Sequence, residues 1–345
     1  MSNSKIDILS LFPEEYSQFL GNEPSYRVKQ IFSWLHKGAS FDEMTNISKD
    51  LRMRLCDTAY ISFPQIIKKY TSKIDGTVKY LFKLHDGQCI ESVVMKYKHG
   101  NTICISSQAG CKMGCKFCAS TQSGYVRNLY PSEMLGQIIA ASKDTGLRIS
   151  NIVLMGIGEP LDNYDNVIKF LRLVSIEGGL NIGLRHISLS TCGIVDKIYA
   201  LSDEDLPITL SVSLHHSNDK DRSAIMPINN KWNIDSLLTA CRVFFEKTGR
   251  RISFEYAVIQ GVNDNDTQAT ALANLLNKKL PNIPFHVNLI PVNTVEGTGF
   301  TSVMKSVSLF QKTLEKNGVN ATVRRKLGSD INASCGQLRR SEMNL

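Results

Sequence analysis

A chain of 345 residues allows two domains and a sizeable buried core. Apolar residues make up 42% and charged residues 21%, no apolar run nears the roughly 18 residues that cross a bilayer, and residues 1–7 lack the apolar stretch of a signal peptide. Forty Lys and Arg against thirty-two Asp and Glu leave a net charge of +8, which suits a polyanionic partner without requiring one, so membrane, secreted and disordered classes are excluded and a cytoplasmic protein is expected.

Residues 26–36 place Val28, Ile31, Phe32 and Leu35 on one helical face, and a second helix is predicted over 48–58 with Leu51 and Leu55 inward. Two β-rich stretches follow, 77–84 and 89–97, joined at Asp86-Gly87, a strong hairpin signal. From residue 102 onward strands and helices alternate. Strands are predicted at 102–107, 151–155, 186–190, 208–214, 252–259, 286–290 and 321–325. Helices are predicted between them at 132–143, 166–174, 196–201, 234–248, 267–276 and 303–316. Six or seven βα units imply a parallel sheet with right-handed crossovers, and fit a partial, open β/α barrel better than a closed one of eight units. The α/β chain is therefore divided into a helical accessory domain over 1–75, a β-hairpin linker over 76–100 and a barrel over 101–345. Chemistry in such sheets sits at the carboxyl ends of the strands.

Nine cysteines without a secretory signal favour metal binding or catalysis over a disulfide framework. Three of them cluster after the first barrel strand, as Cys111-Lys-Met-Gly-Cys115-Lys-Phe-Cys118. Three thiolates with no fourth cysteine nearby suit three irons of a [4Fe–4S] cluster, the fourth iron keeping an open site. A zinc site of three cysteines and one histidine is the alternative, though no histidine follows at finger-like spacing. Later strand ends carry small or polar groups: Gly158 and Glu159, Ser190, the run Ser213-Leu214-His215, and Asn293. Singly each reads as an ordinary strand-end residue; at successive strand ends they read as a ligand site.

The spacing of Cys111, Cys115 and Cys118, with Phe117 between the last two, resembles the signature of the radical S-adenosylmethionine (SAM) superfamily. The resemblance implies a [4Fe–4S] cluster whose open iron chelates SAM and whose electron cleaves it to a 5′-deoxyadenosyl radical. It further implies that Gly158 and Glu159 meet the amino group of SAM, and that Ser190, Ser213, Leu214, His215 and Asn293 hold the rest of the cofactor.

More narrowly, the chain resembles the bacterial RNA adenine-C2 methyltransferases. The matches are Tyr26-Arg-Val-Lys-Gln-Ile-Phe-Ser-Trp34, Phe41-Asp-Glu-Met-Thr45, Arg127-Asn-Leu129, Gly156-Ile-Gly-Glu-Pro-Leu161, Met226-Pro-Ile-Asn229 and Cys335-Gly-Gln-Leu-Arg339. Asn332 and Ser334 depart from the family's more usual Asp and Ala. Adenine C2 is electron-poor and cannot attack a sulfonium methyl, so a radical addition is a sensible route. The resemblance implies that Cys335 first takes a methyl from one SAM, and that a second SAM supplies the radical that activates it. It also implies that the methylene carried by Cys335 adds to C2, that Glu91 accepts a proton, and that Cys104 releases the product by forming a disulfide with Cys335. Strand alternation places Thr102, Cys104 and Ser106 on one face, which favours the lumen over plain core packing. For Glu91, an exposed ion pair is the plain alternative.

Arg324, Arg325, Lys326, Arg339 and Arg340 flank Cys335, and Arg27, Lys29, Lys68 and Lys69 lie in the N-terminal part. Phosphate binding by these cations suits an RNA substrate. The resemblance implies one adenosine in the peptidyl-transferase centre of 23S rRNA and one in the anticodon loop of some tRNAs. It also implies an electron donor such as flavodoxin or ferredoxin, and a monomer is expected. The rival readings are a C8 methyltransferase acting on the same ribosomal adenosine and a non-enzymatic iron–sulfur or zinc RNA-binding protein.

Overall fold

A computed structural model describes residues 5–16, 20–21, 23–122, 124–292, 299–331 and 333. Ten strands form one sheet whose order in space repeats their order in the chain. They are β1 (Gln65–Thr71), β2 (Val78–Lys83), β3 (Cys89–Tyr97), β4 (Gly100–Cys104), β5 (Ile149–Leu154), β6 (Ile187–Thr191), β7 (Thr209–Ser213), β8 (Ile252–Val258), β9 (Phe285–Pro291) and β10 (Ala321–Val323). The first four pair antiparallel and β4 to β10 pair parallel.

Connection length explains the change of direction. Tight turns join β2 to β3 and β3 to β4, so those neighbours must run antiparallel. The parallel neighbours are bridged by helices α3 (Pro131–Thr145), α4 (Tyr164–Val174), α5 (Val195–Ser202), α6 (Asp219–Ile225), α7 (Ile234–Thr248), α8 (Asp266–Lys279) and α9 (Met304–Lys316). Seven parallel strands left unclosed make the open barrel that the βα count predicts. Only two residues separate β3 from β4, and the hairpin continues the barrel sheet.

Strand alternation sorts side chains into two sets. Ile103, Leu189, Val212, Phe254 and Leu289 join the main core. Thr102, Cys104, Asn151, Ser188, Ser190, Ser213, Glu255 and Asn288 line cavities on the other face. The barrel lumen is therefore small-residue and polar. Ser106 lies past the end of β4 and leaves the alternation. Its hydroxyl donates to the Glu91 carbonyl at 2.7 Å and accepts from Ile157 N at 3.0 Å.

The N-terminal helices α1 (Ser25–His36) and α2 (Lys49–Thr58) bury Ile31, Phe32, Leu35, Leu51 and Leu55 in the same continuous core as the barrel. His36 Nδ1 accepts from Leu180 N at 3.2 Å, and Asp7 accepts from Ser132 Oγ at 2.5 Å. The edge strand β1 is absent from the sequence-based prediction because Lys68 and Lys69 break its apolar pattern, a common dress for an exposed edge.

Candidate functional site

The cysteine loop is fixed at both ends. Gln108–Gly110 pairs antiparallel with Tyr125–Asn128, and Cys111 N donates to Gly124 O at 2.9 Å. Gly110 has φ +87°, and a Cβ there would lie 1.9 Å from Gly124 O, so only glycine permits this closure. Inside the loop, Thr121 Oγ1 donates to the carbonyls of Cys118 at 2.9 Å and Cys115 at 3.1 Å.

Cys111, Cys115 and Cys118 all line one cavity of about 290 Å³ at the carboxyl ends of the parallel strands. Burial pushes the Cys111 thiol up to about 12 and the Cys115 thiol higher still, and the neighbouring thiols add to both shifts. Such a trio ionises only beside compensating positive charge. Three thiols around one cavity, with no histidine lining it besides His215, whose Nδ1 is taken by Ala257 N, are a donor set that fits a [4Fe–4S] cluster held by these three residues.

The opposite wall comes from the strand ends. Gly158 has φ +108°, and a Cβ would fall 2.5 Å from Gln108 Cβ, so the backbone passes close to the Gln108–Gly110 strand. Gln108 Oε1 accepts from Glu159 N at 2.8 Å. The Glu159 carboxylate is buried; it accepts from Cys192 N at 2.7 Å and Leu161 N at 3.0 Å. Burial raises its pKa above the usual carboxylate range, against the pull of these donors. Ser190, Ser213 and His215 join Gly158 and Glu159 around the cavity. His215 sits at φ +56°, stacks edge-on with Phe117 at 4.7 Å, and accepts from Ala257 N through Nδ1 at 2.9 Å. Burial, assisted by Arg222, lowers its pKa to about 3, so the ring is neutral with its proton on Nε2. Leu214 is different: it is fully buried in the core and does not line the cavity. Its backbone serves instead, N–H to Glu255 O and carbonyl to Arg222 Nε, each at 3.0 Å. Asn293 lies outside the described residues.

A second cavity of about 250 Å³ contains Cys104, with Val93, Met95, Arg325, Lys326 and Leu327 around it. Met155, Ile290, Pro291 and Arg324 line both this cavity and the first, so the two share a wall. Ala333 also lines the Cys104 cavity, two residues before Cys335 in the chain; Cys335 itself, Arg339 and Arg340 lie outside the described residues. Glu91 is on the same strand face as Val93 and Met95. Its carboxylate is buried and meets the equally buried Lys79 Nζ at 3.0 Å, so the exposed ion pair is corrected to a buried one. No disulfide links two described cysteines.

Two residues escape sequence reasoning. Arg222 on α6 is wholly buried and donates to Leu214 O, Ser213 O, Cys192 O and Asn229 Oδ1 at 2.8–3.0 Å. It wires the ends of β6 and β7 to the Met226–Asn229 segment. The run Asn218-Asp-Lys-Asp-Arg222 looks like a solvated helix, so nothing in it signals this role. Glu255 faces the first cavity from β8 and accepts from Asn288 Nδ2 at 2.7 Å. The one carboxylate in the strand Ile252–Val258 is the available signal.

Comparison with known proteins agrees with this geometry. The model of the radical SAM superfamily matches residues 105–273, and that of a ribosomal RNA large subunit methyltransferase N-terminal domain matches residues 6–61. A probable dual-specificity RNA methyltransferase RlmN of Alkaliphilus oremlandii is 55% identical, the alignment covering 98% of this chain and 99% of that protein. A namesake of Clostridium novyi is 52% identical over 97% of this chain and 98% of its own length. The crystal structure of a radical SAM methyltransferase from Sphaerobacter thermophilus superposes with a TM-score of 0.91 at 38% identity, covering 96% of this chain and 98% of that one. The cysteine loop, the open barrel and the helical N-terminus thus have one explanation: the chain belongs to the RlmN family of radical SAM RNA methyltransferases.

Proposed function

We propose that the protein methylates C2 of adenosine in 23S rRNA and in certain tRNAs, using Cys335 as methyl carrier and Cys104 as resolving thiol. The observation that carries this reading is the wall shared by the cysteine-loop cavity and the Cys104 cavity. When bound, the cluster and SAM supply a 5′-deoxyadenosyl radical in the first cavity. Gly158, Glu159, Ser190, Ser213 and His215 orient SAM there, with Asn293 completing the set.

Cys335 accepts a methyl by displacement and, after loss of one hydrogen atom, carries a methylene radical that adds to adenine C2. Two residues of extended chain reach at most about 7 Å, so Ala333 in the Cys104 cavity keeps Cys335 within reach of Cys104. The adduct would return one electron to the cluster, which SAM cleavage leaves oxidised, and would give its C2 proton to Glu91. Lys79 Nζ, 3.0 Å from the Glu91 carboxylate, fixes its position beside the Cys104 strand. The Cys104 thiolate then attacks the Cys335 sulfur; the disulfide forms, the carbon–sulfur bond breaks, and the product carbon takes a proton. A two-electron reductant restores both thiols. Arg325 and Lys326, exposed at the mouth of the Cys104 cavity, suit the RNA backbone. An RNA substrate places the enzyme in the cytoplasm, and the low-potential electron comes from a flavodoxin- or ferredoxin-type donor.

The test is anaerobic reconstitution with iron and sulfide, then incubation with SAM, dithionite and a 23S rRNA fragment or tRNA. 5′-Deoxyadenosine and 2-methyladenosine are expected. 8-Methyladenosine instead would assign the C8 reaction, and neither product would leave only an RNA-binding role.

A further inference from the structure

The chain leaves the sheet after β10 and returns to the hairpin before it reaches Cys335. Around residues 328–331 it meets the turn between β1 and β2, more than 250 positions earlier in sequence. Asp330 Oδ1 accepts from Ser72 Oγ at 2.7 Å, and Asp330 Oδ2 accepts from Lys73 N at 2.9 Å. In the reverse direction, Gly328 N donates to Asp75 Oδ2 at 2.8 Å. Asp75 is itself braced, since Thr77 N donates to its Oδ1 at 2.9 Å, while Asp75 N donates to Ser72 Oγ at 3.3 Å. Gly328 has φ +59° and its missing Cβ would stand 2.6 Å from Ala333 Cβ and 3.1 Å from Thr77 Cγ2. Ile331 N and Ala333 N both return to Gly328 O, at 3.2 and 3.1 Å. Downstream of this knot, Ala333 packs on Val93, Met95 and Cys104.

We infer that Asp75 and Asp330 form a clasp that seats the chain at Ala333 in the Cys104 cavity, two positions before Cys335. The two carboxylates are positioning residues; neither touches the reacting atoms. This rests on the reading in which Cys335 and Cys104 pair during product release. Burial pushes the Asp75 carboxyl up, but the Gly328 N–H together with Thr77 and Ser72 outweighs it and holds the group at about 2. Ser72 and the Lys73 N–H likewise lower the Asp330 carboxyl, so both acids are ionised acceptors at neutral pH.

The clasp sets the length of the leash. Cys335 lies five positions beyond Asp330 but eleven beyond Arg324, whose N–H bonds Leu289 O at 2.8 Å as the last tie to the sheet. Ala333 is seated through Gly328, whose N–H Asp75 holds, so opening the clasp releases that turn as well. Effective concentration falls roughly as the −3/2 power of leash length, which lowers that of Cys335 at Cys104 about threefold.

The test is the Cys104–Cys335 disulfide equilibrium, measured anaerobically on the reconstituted full-length holoprotein in thiol–disulfide buffers. Alkylation and peptide mass spectrometry give the oxidised fraction. Relative to the parent, Asp75→Ala combined with Asp330→Ala should be about threefold easier to reduce, a shift of about 15 mV. Asp330→Asn, which retains an acceptor, should fall between them. If the double variant fails to fold, Asp330→Asn and Ser72→Ala decide by the same readout. An unchanged equilibrium constant in folded variants overturns the clasp. No Cys104–Cys335 disulfide in the parent overturns the release step on which it rests, a separate outcome.

Discussion

At the residue scale, the site depends on groups held in states that water would not allow. His215 is buried and neutral because its Nδ1 accepts the Ala257 N–H and burial disfavours the imidazolium. Its pKa falls from 6.5 to about 3 on folding. The unfolded chain therefore binds a proton that the folded one refuses. The resulting stability is fully present above pH 6.5 and is lost progressively as pH falls toward 3. Imidazole NMR should show His215 as the Nε2–H tautomer at pH 5, with no titration between pH 5 and 8; a midpoint near 6 would contradict the geometry. Gly158 makes a complementary demand. At φ +108°, with Gln108 N 2.7 Å from a would-be Cβ, Gly158→Ala should cost about 1–3 kcal/mol on the strength of backbone strain alone. Thermal denaturation reads that loss, and SAM binding should weaken with it because Glu159 is displaced.

At the element scale, the proposed role of the cysteine loop, to hold an iron–sulfur cluster, is open to direct test. Reconstituted protein should contain about four irons per chain, and Cys111→Ala, Cys115→Ala or Cys118→Ala should lose the cluster and all SAM cleavage. Stoichiometric zinc and no visible absorbance in the parent protein would count against it. This loop was the most legible feature of the sequence, because thiol spacing is local. Helices were legible for the same reason: α7 was predicted over 234–248 and spans Ile234–Thr248, with Asn233 accepting from Ser236 N at 2.9 Å and Gly249 at φ +64° ending it. The hairpin's place in the sheet, the buried setting of Glu91, and the reach of Arg222 across two strand ends were not legible. Each depends on partners far apart in the chain, and no local period encodes them. Leu214 shows a further limit, since a motif gives the position and not whether side chain or backbone faces the site.

At the scale of the whole molecule, the N-terminal helices and the barrel share one apolar core, and the hairpin shares one sheet with the barrel. Folding should therefore be cooperative across what the sequence reading divided into separate domains. The two tryptophans offer a direct check, since Trp34 lies on α1 and Trp232 lies in the barrel. Urea unfolding of Trp34→Phe and Trp232→Phe variants, followed by the remaining tryptophan, should give coincident midpoints; two separated transitions would mean independent units.

The wall shared by the two cavities makes a larger claim, that one barrel carries a methyl from SAM to a protein thiol, on to RNA, and then frees the product with a second thiol. The measurement that bears on this most directly is made on Cys104→Ala isolated from cells. Without Cys104 the thioether cannot be opened, because the attacking thiolate is missing. A covalent protein–RNA adduct should accumulate and digest to a Cys335 peptide bearing one nucleotide, while Cys335→Ala and the double variant give none. Ordinary methylated RNA and no adduct from Cys104→Ala would contradict the account.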